Sequence, residues 1–155
     1  VPTALSDGTN TIKCDASDYD GNAAVQRSVS FVIDTVPPSL SVTSPTNNLV
    51  TKNKTLAVTG TATDATSSPV SVSVKLNSGT AQSATVGTNG AFSLNVTLSE
   101  GTNTIVVTAK DSAGKTSSVT RTVTLDTKAP IISQVTVPRT VSVGQTFKIS
   151  VKVTD

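Results

Sequence analysis

The octet LSDGTNTI at Leu5–Ile12 returns as LSEGTNTI at Leu98–Ile105, 93 positions later. A chain that repeats itself at this interval is built from replicated units, and about ninety residues is the length of one two-sheet β-sandwich. Ala16, Asp18 and Gly21 match Ala109, Asp111 and Gly114 at the same offset of 93. The offset becomes 92 from Asp34–Thr35 against Asp126–Thr127 and at Pro38 against Pro130, and 91 at Thr63–Asp64 against Thr154–Asp155. Slips of one residue belong in loops, because inside a strand each would turn the whole apolar face outward.

About a third of the residues are Ser or Thr, and aromatics make up 3%. β-branched side chains fit a pleated, half-buried surface and lose rotamer freedom in a helix, so the composition predicts strands and no helix. Alternation supports this: Val70, Val72, Val74 and Leu76 are separated by Ser71, Ser73 and Lys75, and Phe92, Leu94, Val96 and Leu98 share the period of two. With Leu40–Thr43, Leu56–Thr63, Thr80–Val86, Thr104–Lys110 and Val119–Asp126, the central repeat holds seven predicted strands. Asn77–Ser78–Gly79, Asn89–Gly90, Glu100–Gly101 and Ser112–Ala113–Gly114 provide the turns between them.

Val36–Pro37–Pro38 and Lys128–Ala129–Pro130 read as stiff linkers, since proline cannot donate to a ladder. The expected fold is all-β, with tandem immunoglobulin-like sandwiches. Residues 1–36 are the last strands of a first domain, 37–127 a complete domain, and 128–155 the first strands of a third. The partial ends leave Ile12, Cys14, Val29, Phe31 and Ile33, and Phe147, Ile149, Val151 and Val153, without facing sheets. Their expected partners are neighbouring immunoglobulin-like repeats of the same chain or of adjacent chains.

Leu98–Ile132 resembles the bacterial Ig-like (Big-type) repeats of large secreted and cell-surface proteins. The resemblance rests on Gly-Thr-Asn-Thr-Ile at a strand start, Ala-Lys-Asp-Ser-Ala-Gly at a hairpin and Asp-Thr before a proline linker. It implies an extracellular structural segment: a stalk, spacer, filament or surface-layer part of a bacterial or archaeal surface or adhesin-type protein. The alternative it implies is an accessory carbohydrate-binding module of a secreted polysaccharide-active enzyme, with a cell-surface glycan or protein as partner.

Several chemistries are excluded by the residues themselves. The chain has no His, its only Glu is Glu100, and no glycine-rich phosphate loop follows a strand, so neither an enzyme nor a zinc site is expected. Twelve basic against 10 acidic residues leave a net charge of +2 with no basic stripe, which argues against nucleic acid. No apolar run reaches the roughly 20 residues that cross a bilayer. Cys14, the single cysteine, falls at an inward strand phase and reads as a small buried hydrophobe. Lys75, Lys148 and Lys152 fall at outward phases, against an isopeptide cross-link in the core.

Calcium is the one cofactor the acids point to, since it takes several oxygen ligands. Asp15, Asp18, Asp20 and Asn22 crowd one hairpin around Gly21, although the twelfth position of an EF-hand is Gln26 counted from Asp15 and Val29 counted from Asp18. Placed on a sandwich, Asp7 and Asp34 lie where the first domain ends, and Asp64 and Asp111 where the second begins. Glu100, Asp126 and Asp155 repeat most of this at the next junction. These acids are the expected ligands of interdomain calcium; their competing role is to cap turns in solvent. Asn53 and Asn95 begin glycosylation sequons, and Tyr19 is the one aromatic outside the strands available to stack on a sugar.

Overall fold

A computed structural model describes residues 5–155 and contains only strands, turns and loops among them. No helix of the described residues is long and apolar enough to cross a membrane. β1 (Gly8–Cys14) and β2 (Arg27–Ile33) form an antiparallel hairpin, and β11 (Ile131–Thr136) and β12 (Ser150–Thr154) form another. Between them lie β3 (Ser39–Ser44), β4 (Leu49–Thr51), β5 (Thr55–Thr63), β6 (Ser71–Leu76), β7 (Gln82–Val86), β8 (Ala91–Thr97), β9 (Gly101–Lys110) and β10 (Thr116–Leu125).

These central strands make one eight-stranded sheet in the order β3-β5-β8-β7-β6-β9-β10-β4. It curls into two facing halves joined by a short ladder, for β7 and β8 pair only at Thr85–Ser93 and Val86–Phe92. The result is the expected immunoglobulin-like β-sandwich. Val58, Phe92 and Val96 from one half meet Val72, Val74, Ile105, Val107 and Val123 from the other in a single buried cluster. Each fully buried aliphatic side chain of this kind contributes about 1.5–3 kcal/mol. The small inward residue Gly60 on β5 makes room for Phe92: a Cβ there would meet the Ser41 carbonyl oxygen and lie 2.7 Å from Phe92 Cζ.

The eighth strand, β4, was not among the predicted ones. Its three residues are too few to show a period, and it pairs in parallel with β10 while β3 pairs antiparallel with β5. The segment between β3 and β4 thus carries the chain from one half of the sandwich to the other.

The repeated octet has a definite task in this fold. Leu98 is 1% exposed in the core, Gly101 turns the chain at φ +85°, and Asn103 is completely buried. The Asn103 Oδ1 accepts from Ser99 N–H (2.9 Å) and Asn77 Nδ2 (3.1 Å), and its Nδ2 donates to the Ser99 (2.7 Å) and Gly101 (2.9 Å) carbonyls. Asn10 makes the equivalent pair of bonds to the Ser6 (2.8 Å) and Gly8 (3.0 Å) carbonyls. Buried main-chain groups must find partners, and here one amide side chain supplies them to a whole turn.

The end hairpins are less covered. Ile12, Val29, Phe147, Ile149, Val151 and Val153 are all more than half exposed, and Cys14 is exposed rather than buried. The phase of Cys14 on β1 is that of an inward position, but no second sheet faces β1 and β2 among the described residues.

Candidate metal centre

Three acids from three separate elements converge at the pole where the chain enters the sandwich. Asp34 opens the segment after β2, Asp64 follows β5, and Asp111 stands at the β9–β10 hairpin. One carboxylate oxygen from each lies within 4.8 Å of the others. Asp34 and Asp111 are only 8% and 4% exposed, and Asp64 is half-buried.

Local turns hold each carboxylate by one oxygen. Asp34 Oδ1 accepts from Val36 N–H at 3.0 Å, Asp64 Oδ1 from Thr66 (2.8 Å) and Ser67 (2.7 Å), and Asp111 Oδ1 from Lys115 N–H at 2.9 Å. All of these donors are neutral main-chain groups. The second oxygens of Asp34 and Asp111 are buried with no hydrogen-bond partner among the described residues. Two unit charges 4.8 Å apart repel by about 3.5 kcal/mol at the effective dielectric of a protein surface, so the arrangement invites a cation.

The surrounding packing fixes the approach of the linker. Pro38 is fully buried, and its carbonyl accepts from Ser117 Oγ at 2.6 Å. Ser67, 5% exposed, accepts at its carbonyl from Ser112 N–H at 3.4 Å, tying the Asp64 loop to the Asp111 hairpin. None of these three serines carries a signal in the sequence, where about a third of the residues are Ser or Thr.

The remaining acids are placed elsewhere. Asp7 receives Thr35 N–H (3.0 Å) and Thr35 Oγ1 (2.8 Å), and Glu100 receives the equivalent Thr127 groups at 3.1 and 2.9 Å. The acid of the repeated octet therefore clamps the threonine that follows the last strand, a use of both oxygens that leaves it outside the three-acid cluster. Asp126 caps Lys128 N–H at 3.1 Å and lines a shallow depression with Glu100 and Asp155.

In the β1–β2 hairpin, Asp18 takes Asn22 N–H and Asn22 Nδ2, both at 2.7 Å, while Asp15 takes Gln26 Nε2 at 2.7 Å. Chiefly the Asn22 side-chain bond, then its main-chain bond, holds the Asp18 carboxyl below its ordinary value of 3.8. These pairings, with Asp20 exposed, describe a capped turn. Tyr19 is fully exposed at its tip, and Asn53 and Asn95 are both exposed.

The family model of glucodextranase domain B matches residues 38–127, the central sandwich from Pro38 onward. The PII-type proteinase of Lactococcus lactis subsp. cremoris is 29% identical over 140 residues, covering 86% of this chain and 7% of the proteinase. Among solved structures, the fibronectin(III)-like modules of CbhA from Clostridium thermocellum share 18% identity at a TM-score of 0.48, over 80% of this chain and 65% of theirs. An engineered protein shares 20% identity at a TM-score of 0.46, over 57% of this chain and 20% of its own. The chain thus spans a small fraction of the proteinase and less than two thirds of either structure.

Proposed function

Because the chain belongs to the glucodextranase domain B family, we propose that it is a non-catalytic spacer segment of a longer extracellular protein, holding the modules on either side at a set separation. The family takes its name from a domain of a glucodextranase, and the relative above is a proteinase. Both are consistent with an accessory module carried beside an active region rather than forming one. Within that reading, the tandem sandwiches act as a stalk of the kind the Big-type resemblance implies.

The observation that carries the reading is the seat of Asp34 in the neighbouring sandwich. Asp34, which opens the segment after β2, is 8% exposed beside Asp64 and Asp111, and Pro38 at the segment's far end is fully buried. The segment is thus anchored at both ends, although Thr35, Val36 and Pro37 between them are exposed. A linker packed in this way transmits orientation, whereas an exposed Gly/Ser tether would not. Small-angle scattering of tandem copies of the repeat tests it. The maximum dimension should grow in proportion to repeat number; growth as the square root would describe flexible beads and end the spacer reading.

A carbohydrate-binding role is favoured by one feature, the exposed Tyr19 on the β1–β2 hairpin. Sugar sites usually stack rings on aromatic platforms. Co-sedimentation with insoluble polysaccharide that is abolished by Tyr19→Ala would establish it; no retention of the unaltered chain would remove it.

A further inference from the structure

We propose that Asp34, Asp64 and Asp111 bind one calcium ion, which ties the segment after β2 to the pole of the central sandwich. The site goes beyond the spacer reading and can be tested without it.

The donor set selects the ion. Three carboxylates with no imidazole or thiolate form a hard, all-oxygen site, which suits calcium better than zinc or copper. Magnesium demands near-ideal octahedral geometry and gives up its water reluctantly, so three carboxylates fixed by separate turns suit the more permissive calcium. The remaining coordination positions of the ion, which takes six to eight oxygens, fall to water and main-chain oxygens.

Two features separate this cluster from ordinary surface acids. The Asp34 and Asp111 side chains are more than nine-tenths buried, and each keeps an Oδ2 with no hydrogen-bond partner among the described residues. A buried carboxylate oxygen without a donor is costly unless a cation meets it. Their Oδ1 atoms are held by the turns at Val36 and Lys115, so the free oxygens are oriented in advance. By contrast, Asp7, Asp18 and Glu100 spend both oxygens on hydrogen bonds within the protein.

Two of the three ligands recur with the repeat. Asp126 and Asp155 are the counterparts of Asp34 and Asp64, at offsets of 92 and 91. Asp126 Oδ1 also accepts from the main chain two residues on, at 3.1 Å, as Asp34 does at 3.0 Å. The second junction therefore repeats two of the three ligands, and among the described residues the three-acid cluster forms once, at Asp34, Asp64 and Asp111.

Isothermal titration of calcium chloride into the calcium-stripped chain is the test, paired with thermal unfolding in calcium and in EDTA. One ion should bind per chain with a Kd of about 10⁻⁵ to 10⁻³ M, and a hundredfold excess over Kd should raise Tm by about 10 °C or more. Asp111→Asn keeps an oxygen for the Lys115 N–H bond and so preserves the turn. It should weaken calcium binding at least tenfold while raising Tm in EDTA, because it relieves repulsion that the ion otherwise neutralises. Asp18→Asn should leave binding unchanged. Absence of heat and of any Tm shift at 10 mM calcium would overturn the proposal. So would binding that survives Asp111→Asn and is lost with Asp18→Asn, which would move the ion to the β1–β2 hairpin.

Discussion

Replacing Asn103 by Ala removes the side chain on which the repeated octet turns. Four hydrogen bonds are lost, at 2.7–3.1 Å, from a residue with no exposure. A net contribution of about 1 kcal/mol per bond gives an upper figure of about 4 kcal/mol; water reaching the loosened turn would recover part of it, leaving about 2–4 kcal/mol. Ser99 N–H loses its acceptor, and the Ser99 and Gly101 carbonyls lose their donor, which is why the cost exceeds that of a surface change. For a sandwich of about ninety residues this corresponds to a fall in Tm of about 10–25 °C. Urea unfolding of the chain, followed by circular dichroism, measures it at constant m-value. Asn95→Ala, on the exposed face of β8, is the control and should stay within about 0.5 kcal/mol. A loss under 1 kcal/mol for Asn103→Ala would refute the idea that this asparagine organises the turn.

Other substitutions separate packing from local bonding. Gly60→Ala should cost about 3 kcal/mol, because the Ser41 carbonyl and the Phe92 ring occupy the space, whereas Gly101→Ala meets nothing within 4 Å and should cost only about 1 kcal/mol of backbone strain; equal losses in chemical denaturation would contradict the steric explanation. Glu100→Gln, which can still satisfy both Thr127 groups, should be nearly neutral, while Glu100→Ala loses about 1 kcal/mol; a drop as large for Gln would mean that charge rather than hydrogen bonding matters. Asp18 has a folded pKa below that of the unfolded chain, so its contribution to hairpin order is complete above about pH 4 and disappears as pH falls through the lower folded value. Carboxyl-detected NMR titration should place Asp18 below 3.8 and return it towards that value in Asn22→Ala; no change in the variant would discard the Asn22 bond as the cause.

Alternation made the sandwich legible, because residues such as Val72 and Val74 must face the core when Ser71 and Ser73 do not. It failed where a strand is short or where burial is polar. β4 has three residues and shows no period, and β9 begins at Gly101 rather than at the expected Thr104 because buried Asn103 looks, by composition, like loop. Loop placement brought Asp34, Asp64 and Asp111 to one pole, since the ends of strands in a sandwich are confined to two sites. It could not separate Asp7 and Glu100 from them. Their partners, Thr35 and Thr127, lie 28 and 27 residues away, and a sequence does not reveal which threonine returns to meet a carboxylate.

Whether the Asp34 junction is a fixed seat or a hinge can be measured as one distance. Cys14, the single cysteine, is exposed on β1 and takes a spin label without further engineering; Asn95→Cys on exposed β8 supplies the second. Pulsed electron–electron double resonance with calcium present should return one narrow distance distribution, broadening when EDTA is added or when Asp111 is replaced by Asn. A broad distribution that neither calcium nor the substitution alters would contradict a spacer built on packed junctions.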